Sequence, residues 1–525
     1  MSHGPTRAKR ILVPLVAVVV LLLVAGTVTT IVHSRDVGLA VTDLADGTPI
    51  TPTGVDRVAI TTADPADLAQ VSVQVDGRPV EVDRAGGRLR LAGLDLAEGA
   101  HTLSARAPNP LPWMPDETVE RTFTVDATPP AVVVEPAEAS SPRGPLTVRG
   151  TADGADTVRL GDREVPVRDG KFEASLDAVP TALRVRADDR AGNTVEHDVA
   201  IKVTHPGMRA VHLSATAWAT PELRDPVLAL AREHRIDTVQ LDIKDESGEI
   251  GYDSQVPLAR QVGANRNYYD ARAALDQLHG MGLRVVGRVV AFRDPVLGRA
   301  SWESGARDRV TQDTSGAAWS AHYGEYSFTN FANTEVRDYN IAIAKEAAQL
   351  GFDDILYDYV RRPDGPLGRM AFPGLATTPE QSIVDFLRDS RAAVRPLGAY
   401  LGASVFGIAA HSPGDVAQDI PGMSPHVDYV APMVYPSHWG PGEYGVGNPN
   451  AQPYDIVRPS VANFVELTRG SGAVVIPWLQ AFSLGHHYGP GEIQAQVAAT
   501  RDAGAPSFLL WNAACAYGDS GLEPA

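Results

Sequence analysis

From about residue 205 onward, short apolar runs alternate with stretches in which apolar positions recur every three or four residues. The first pattern reads as strands buried on both faces, the second as amphipathic helices. The predicted strands are RAVHLS (209–214), TVQLDIK (238–244), RVVGRVVAF (284–292), DILYDYV (354–360), YLGASVF (400–406), VDYVAPMVY (427–435), AVVIPWLQ (473–480) and SFLLWN (507–512). Helical patterns at 221–234, 269–282, 335–350 and 379–394 lie between them. Eight such units predict a (β/α)8 TIM barrel over residues 205–525. An open doubly wound sheet would need a glycine-rich phosphate turn after its first strand, and HLSATAWATPE has none.

Between residues 35 and 204 the period is two, not 3.6. VSVQVDGRPVEV (71–82) predicts a hairpin turning on Asp76-Gly77. The order of strands and Gly/Asp turns in 71–107 recurs in 156–203, which predicts two tandem all-β sandwiches, 35–127 and 128–204, joined near DATPP. The D-x-A-G-N turn at Asp189–Asn193 resembles that of bacterial immunoglobulin-like domains. The simplest role for both is that of spacers.

Residues 1–34 form a separate segment. Arg7, Lys9 and Arg10 precede an uncharged apolar run, Ile11 to Val32, long enough to span a bilayer at about 1.5 Å per residue. A single-pass anchor with a cytoplasmic N-terminus is expected, placing everything after about residue 33 outside the cytoplasm; a cleaved signal peptide is the alternative. The net charge of -18 argues against a nucleic-acid partner. A single cysteine, Cys515, precludes an internal disulfide. No histidine pair shows ligand spacing, so neither a metal nor another cofactor is expected.

In a TIM barrel the active site lies at the C-terminal ends of the strands. Strand two ends with Asp242 and Lys244 on one face and Asp245 and Glu246 beyond. Strand three carries Arg288. Strand four closes on Asp358, Tyr359 and then Arg361. Tyr435, His438 and Trp439 follow strand six, Trp478 and Gln480 end strand seven, and Trp511 and Asn512 end strand eight. Flat aromatic faces among hydrogen-bonding groups suit a sugar, whose C–H faces stack while its hydroxyls pair. A carboxylate closing a buried strand must be hydrogen-bonded or functional.

The segments LDIKDESGEIGYDS, GFDDILYDYVRRPDG and DYVAPMVYPSHWGPGEYG, with NPNAQPYDIV after them, resemble a family of glycoside hydrolase domains formerly catalogued as a domain of unknown function. The resemblance covers about residues 208–517 and implies a glycosidase-type barrel with Asp358 as a catalytic carboxylate. It departs from the chitinase pattern D-x-x-D-x-D-x-E, because Val360 stands where the glutamate would fall. Hydrolysis requires a second carboxylate. Asp242, Asp245 and Glu246 are the candidates; the expected pair is Asp358 as nucleophile or base with Asp245 as general acid, Asp242 being held by Lys244 and Arg288. The expected substrate is a cell-surface polysaccharide or exopolysaccharide. A non-catalytic sugar-binding domain and a cell-wall scaffold are the alternatives.

Overall fold

The computed structural model describes residues 36–91, 93–109, 114–180, 182–517 and 521–524. The expected membrane anchor at 1–34 lies outside these residues; among the described ones, no helix is long and apolar enough to cross a membrane. The chain forms two compact units. One comprises the described residues up to 134 with 149–173 and 184–198, the other 135–148, 174–183 and the described residues from 199 onward.

The first unit is mostly β, with a short helix at Pro52–Val55 and a 3-10 turn at Pro65–Gln70. One antiparallel pair, Ser72–Val75 with Arg78–Pro79, turns on Asp76 and Gly77, whose φ angles of 53° and 73° are those of a two-residue hairpin loop. This hairpin belongs to a five-stranded sheet, and a four-stranded sheet formed by Ala40–Thr42, Ala59–Thr61, Arg88–Arg90 and Asp83–Ala85 accompanies it. The buried cluster of the same stretch includes Ile60, Val73, Leu89, Leu103 and Phe123. Further along, Asp189 Oδ1 accepts from the backbone N–H groups of Gly192 (2.8 Å) and Asn193 (2.9 Å), closing the D-x-A-G-N turn.

The second unit contains the barrel. Its strands are β1 (Arg209–Leu213), β2 (Thr238–Lys244), β3 (Arg284–Val290), β4 (Asp354–Asp358), β5 (Tyr400–Phe406), β6 (Tyr429–Met433), β7 (Val474–Val475, resuming at Trp478–Gln480) and β8 (Phe508–Trp511). All neighbours are parallel, and β8 pairs with β1 to close the ring. The seventh strand differs from the single run expected at 473–480. It is broken around Pro477, which has no N–H to give to a ladder. Helices such as α1 (Pro221–Arg232), α2 (Ala271–Gly280), α3 (Thr334–Leu350) and α4 (Pro379–Val394) cover the outside.

Alternate residues divide between two cores. Ile355 and Tyr357 of β4 face the helices, whereas Leu356 joins Ala210, Val286, Tyr429 and Leu509 in the lumen. These lumen side chains are buried. A Cβ built at Gly402 would overlap the phenol ring of Tyr429, so glycine on β5 makes room for that ring. Gly402→Ala should therefore overpack the lumen and cost about 1–3 kcal/mol, measurable by denaturant unfolding.

Candidate active site

A cleft of about 400 Å³ opens over the C-terminal ends of the strands. This falls within the range of small-ligand sites. Its floor is Asp358, at the end of β4, and Arg288, one turn of the pleat below the end of β3. Asp358 Oδ2 accepts from Arg288 Nε (2.9 Å) and Nη2 (2.7 Å), and its Oδ1 accepts from the backbone N–H of Tyr359 (2.7 Å). That last bond depends on an unusual backbone: Tyr359 has φ 49°, a left-handed conformation costly for a side chain of this size. The remaining amino groups of Arg288 reach Asp242 Oδ1 (3.1 Å, from Nη1) and Glu246 Oε1 (from Nη2). Three carboxylates thus share one guanidinium that is 1% exposed.

The electrostatics follow from this hub. Burial opposes ionisation of Asp242, but Arg288 and His212 outweigh it and hold the carboxyl down to about 2. Burial also pushes Glu246 up, yet the Arg288 guanidinium wins and keeps it below the usual carboxylate range. The phenol of Tyr435 is pushed well above its ordinary value, first by burial and then by the charge of Asp358. Burial pushes the His438 imidazole down, leaving it neutral near pH 7.

The walls are aromatic. Trp478 and Trp511 meet edge to face, 5.5 Å apart, with Trp478 Nε1 donating to Ser404 Oγ (3.0 Å). Tyr435 stands edge-on to His438, 5.3 Å away, and Trp439, Tyr359 and Met433 complete that side. Arg361 lies just behind the wall, its guanidinium 4.3 Å from the Phe406 ring centre and 5.0 Å from that of Tyr359.

Four expected site residues point elsewhere. Lys244 does not share a face with Asp242: the β2–β3 register slips between them, pairing Asp242 with Arg288 but Lys244 with Val289. The bulge turns the ammonium outward, where it meets Asp294 Oδ2 and Asn340 Oδ1, each at 2.8 Å. Asp242 is consequently held by Arg288, His212 and Gln240, not by Lys244. Asp245 turns into its own loop, its Oδ1 accepting from Ser247 N, Ser247 Oγ and Glu249 N, and it does not line the cleft; Glu246 does. Gln480 and Asn512 brace loops. Gln480 accepts from Ser437 N (3.0 Å) and donates to Phe482 O (2.9 Å), while Asn512 donates to Ala481 O (2.7 Å).

The cleft also contains residues that the sequence did not single out. Phe406 ends β5, Ile408 follows it, and Tyr323 enters from the long excursion between β3 and α3. His212 on β1 lies beneath, paired with Asp242 and stacked on Trp511. Two of them have a signal of a kind: Phe406 ends a strand, and His212 is the only polar residue within an otherwise apolar run, Ala210–Leu213. Tyr323 has none, because nothing in a loop's sequence says which way it folds back. Among the described residues, no group of three or more His, Cys, Asp or Glu is arranged to hold a metal ion.

Residues 210–517 match the model of a family described as "Putative glycosyl hydrolase domain". No curated protein matches the chain. Among solved structures, a hypothetical protein from Ruminiclostridium thermocellum ATCC 27405 is similar at 30% identity, covering 37% of this chain and 96% of that one, with a TM-score of 0.33. The glycoside hydrolase domain of PgaB (BpsB) from Bordetella bronchiseptica is similar at 16% identity, covering 58% and 94%, with a TM-score of 0.46. Ega3 of Aspergillus fumigatus, in complex with galactosamine, is similar at 12% identity, covering 61% and 93%, with a TM-score of 0.33.

Proposed function

Given that the chain belongs to this family of glycosyl hydrolase domains, we propose that its barrel hydrolyses a cell-surface polysaccharide or exopolysaccharide with Asp358 and Glu246 as the working pair. The observation that carries this reading is that both carboxylates bind the same Nη2 of Arg288 at the floor of an aromatic cleft. Two oxygens bonded to one nitrogen lie within about 6 Å of each other. That fits the retaining separation of about 5–5.5 Å better than the inverting one of about 6.5–9.5 Å.

Asp358, fixed by three N–H donors, attacks the anomeric carbon while Glu246 gives its proton to the departing glycosidic oxygen. Water then cleaves the glycosyl ester as Glu246 takes a proton back, and the configuration is retained. Glu246 is the more exposed of the two, its side chain 28% accessible against 5% for Asp358. A sugar covering it removes water and loosens its bond to Arg288, and both changes raise its affinity for a proton. The indoles of Trp511 and Trp439 supply stacking surfaces, and the buried Trp478 backs Trp511 edge to face. Asp242 is an anchor for Arg288 and does not react.

In this reading the apolar run at 11–32 tethers the enzyme to the membrane, the barrel works outside the cytoplasm, and the β modules are immunoglobulin-like spacers. One feature favours a second reading, a sugar-binding protein without activity: Arg288 keeps Glu246 ionised in the empty cleft, which is unsuited to a general acid. The two readings are separated by incubating the full chain with a panel of cell-surface and capsular polysaccharides. New reducing ends mark an enzyme, whereas gel retardation without shortening marks a binder. On a cleaved glycan, Glu246→Gln should lower kcat by about 100-fold or more. Asp245→Asn, which keeps its loop acceptor, should leave kcat near the parental value. The reverse outcome would move the acid to Asp245.

A further inference from the structure

A line of side chains runs from behind the cleft to its floor. Cys515 Sγ lies 3.7 Å from His212 Nδ1, and His212 Nε2 lies 3.1 Å from Asp242 Oδ2. Asp242 Oδ1 accepts from Arg288 Nη1, and Arg288 holds Asp358. Cys515, His212, Asp242, Arg288 and Asp358 are all buried. The His212 ring also stacks on Trp511, with ring centres 4.1 Å apart and planes at 27°, and the Arg288 guanidinium lies 5.0 Å from the centre of the same indole.

We propose that His212 is a positioning residue for both halves of the site: through Asp242 it fixes the guanidinium that holds Asp358, and by stacking it fixes the indole of Trp511 against which a sugar rests. The proposal rests on the glycoside hydrolase reading of the cleft. Its physical basis is charge. Asp242, Glu246 and Asp358 all contact Arg288, and three carboxylates against one guanidinium leave a net charge of minus two. In a buried site that excess would drive a proton onto Asp242 and release Nη1. An imidazolium at His212 halves the excess and keeps Asp242 ionised as an acceptor.

The groups facing the His212 ring agree with this. Asp242 approaches from β2, Trp511 from β8 and Cys515 from the segment after β8, where Tyr517 meets the His212 backbone. Tyr517, pushed well above its ordinary value by burial, stays neutral. Burial disfavours the charged ring, but the Asp242 carboxylate outweighs it and raises His212 to about 9. Because the value is raised, the charge is present below that pH and lost above it. Burial pushes the Cys515 thiol up, but His212 outweighs it and pulls the thiol below its ordinary value, so it is the other titratable side chain beside the ring.

The test uses the full chain. In the parent, the histidine ring signals followed by NMR should include one that titrates near pH 9 and is missing from His212→Gln; Asp358→Asn should shift that titration downward. On the glycan cleaved by the parent, kcat falls first as Glu246, the general acid, loses its proton, and should then show a further alkaline limb with the same midpoint as that ring. His212→Gln should lower kcat by about 10-fold or more and lose the alkaline limb, while Cys515→Ser should keep it. The inference is overturned if no histidine titrates near 9, if the parental profile lacks the limb, or if His212→Gln keeps the parental rate and profile. The titration and the limb decide the matter in the parent even if His212→Gln does not fold. A protein that cleaves no glycan overturns the hydrolase reading itself, which the NMR titration does not depend on.

Discussion

Asp358→Asn is expected to lower glycan cleavage by about 1,000-fold or more with little change in Tm. The asparagine keeps the volume of the aspartate and one acceptor oxygen: turned to the Tyr359 N–H it supports the left-handed turn after β4, while its NH2 faces Arg288, whose charge Asp242 and Glu246 still balance. It lacks the charge needed to attack an anomeric carbon or to stabilise the cationic sugar that forms as the glycosidic bond stretches. Reducing-end release and a thermal melt, run on parent and variant together, check both halves. A variant that keeps even a tenth of the parental rate would remove Asp358 from the chemistry.

The largest effect on stability is expected for Arg288→Met. The side chain fills a similar volume but leaves Asp242, Asp358 and Glu246 without their shared cation, two of them buried. Stripping one partner from a buried pair costs about 3–5 kcal/mol. In a domain of this size that corresponds to a Tm lower by about 10 °C. The pH dependence should also change sign. In the parent, Asp242 sits near 2, below its ordinary value, so its contribution to stability is full above the ordinary carboxylate range and is lost as the pH falls through about 2. In the variant, burial acts with less opposition and raises the buried carboxyls, so acid should partly restore stability. Melts between pH 4 and 8 reveal this; a variant Tm within two degrees of the parent throughout would show that the hub does not hold the strands together.

Much of the barrel was legible in the sequence because each strand's apolar run is bounded by turn residues, and because a parallel barrel imposes one rule, chemistry at the C-terminal ends, on all eight. Asp358 stood out for that reason. The failures have local causes. Asp242 and Lys244 are two residues apart, and a period of two places them on one face unless a bulge intervenes; nothing in TVQLDIK announces one. Asp245 and Glu246 are adjacent acids in a loop, where direction is decided by hydrogen bonds to Ser247 and Glu249 that a pattern does not contain. Gln480 and Asn512 have the chemistry of sugar ligands, but their amides meet backbone groups left unpaired by the irregular loops beside them. The partners of His212 come from strands whose register becomes known only when the barrel closes.

The bulge in β2 has a wider consequence. A single strand delivers a carboxylate to the lumen and an ammonium to the wall, each with its own counter-ions, Arg288 with His212 on one side and Asp294 on the other. Neither set borrows from its neighbour across the sheet. Substitutions intended to retune the reaction chamber therefore leave in place the hydrogen bonds of the polar bolt that fastens strand to helix.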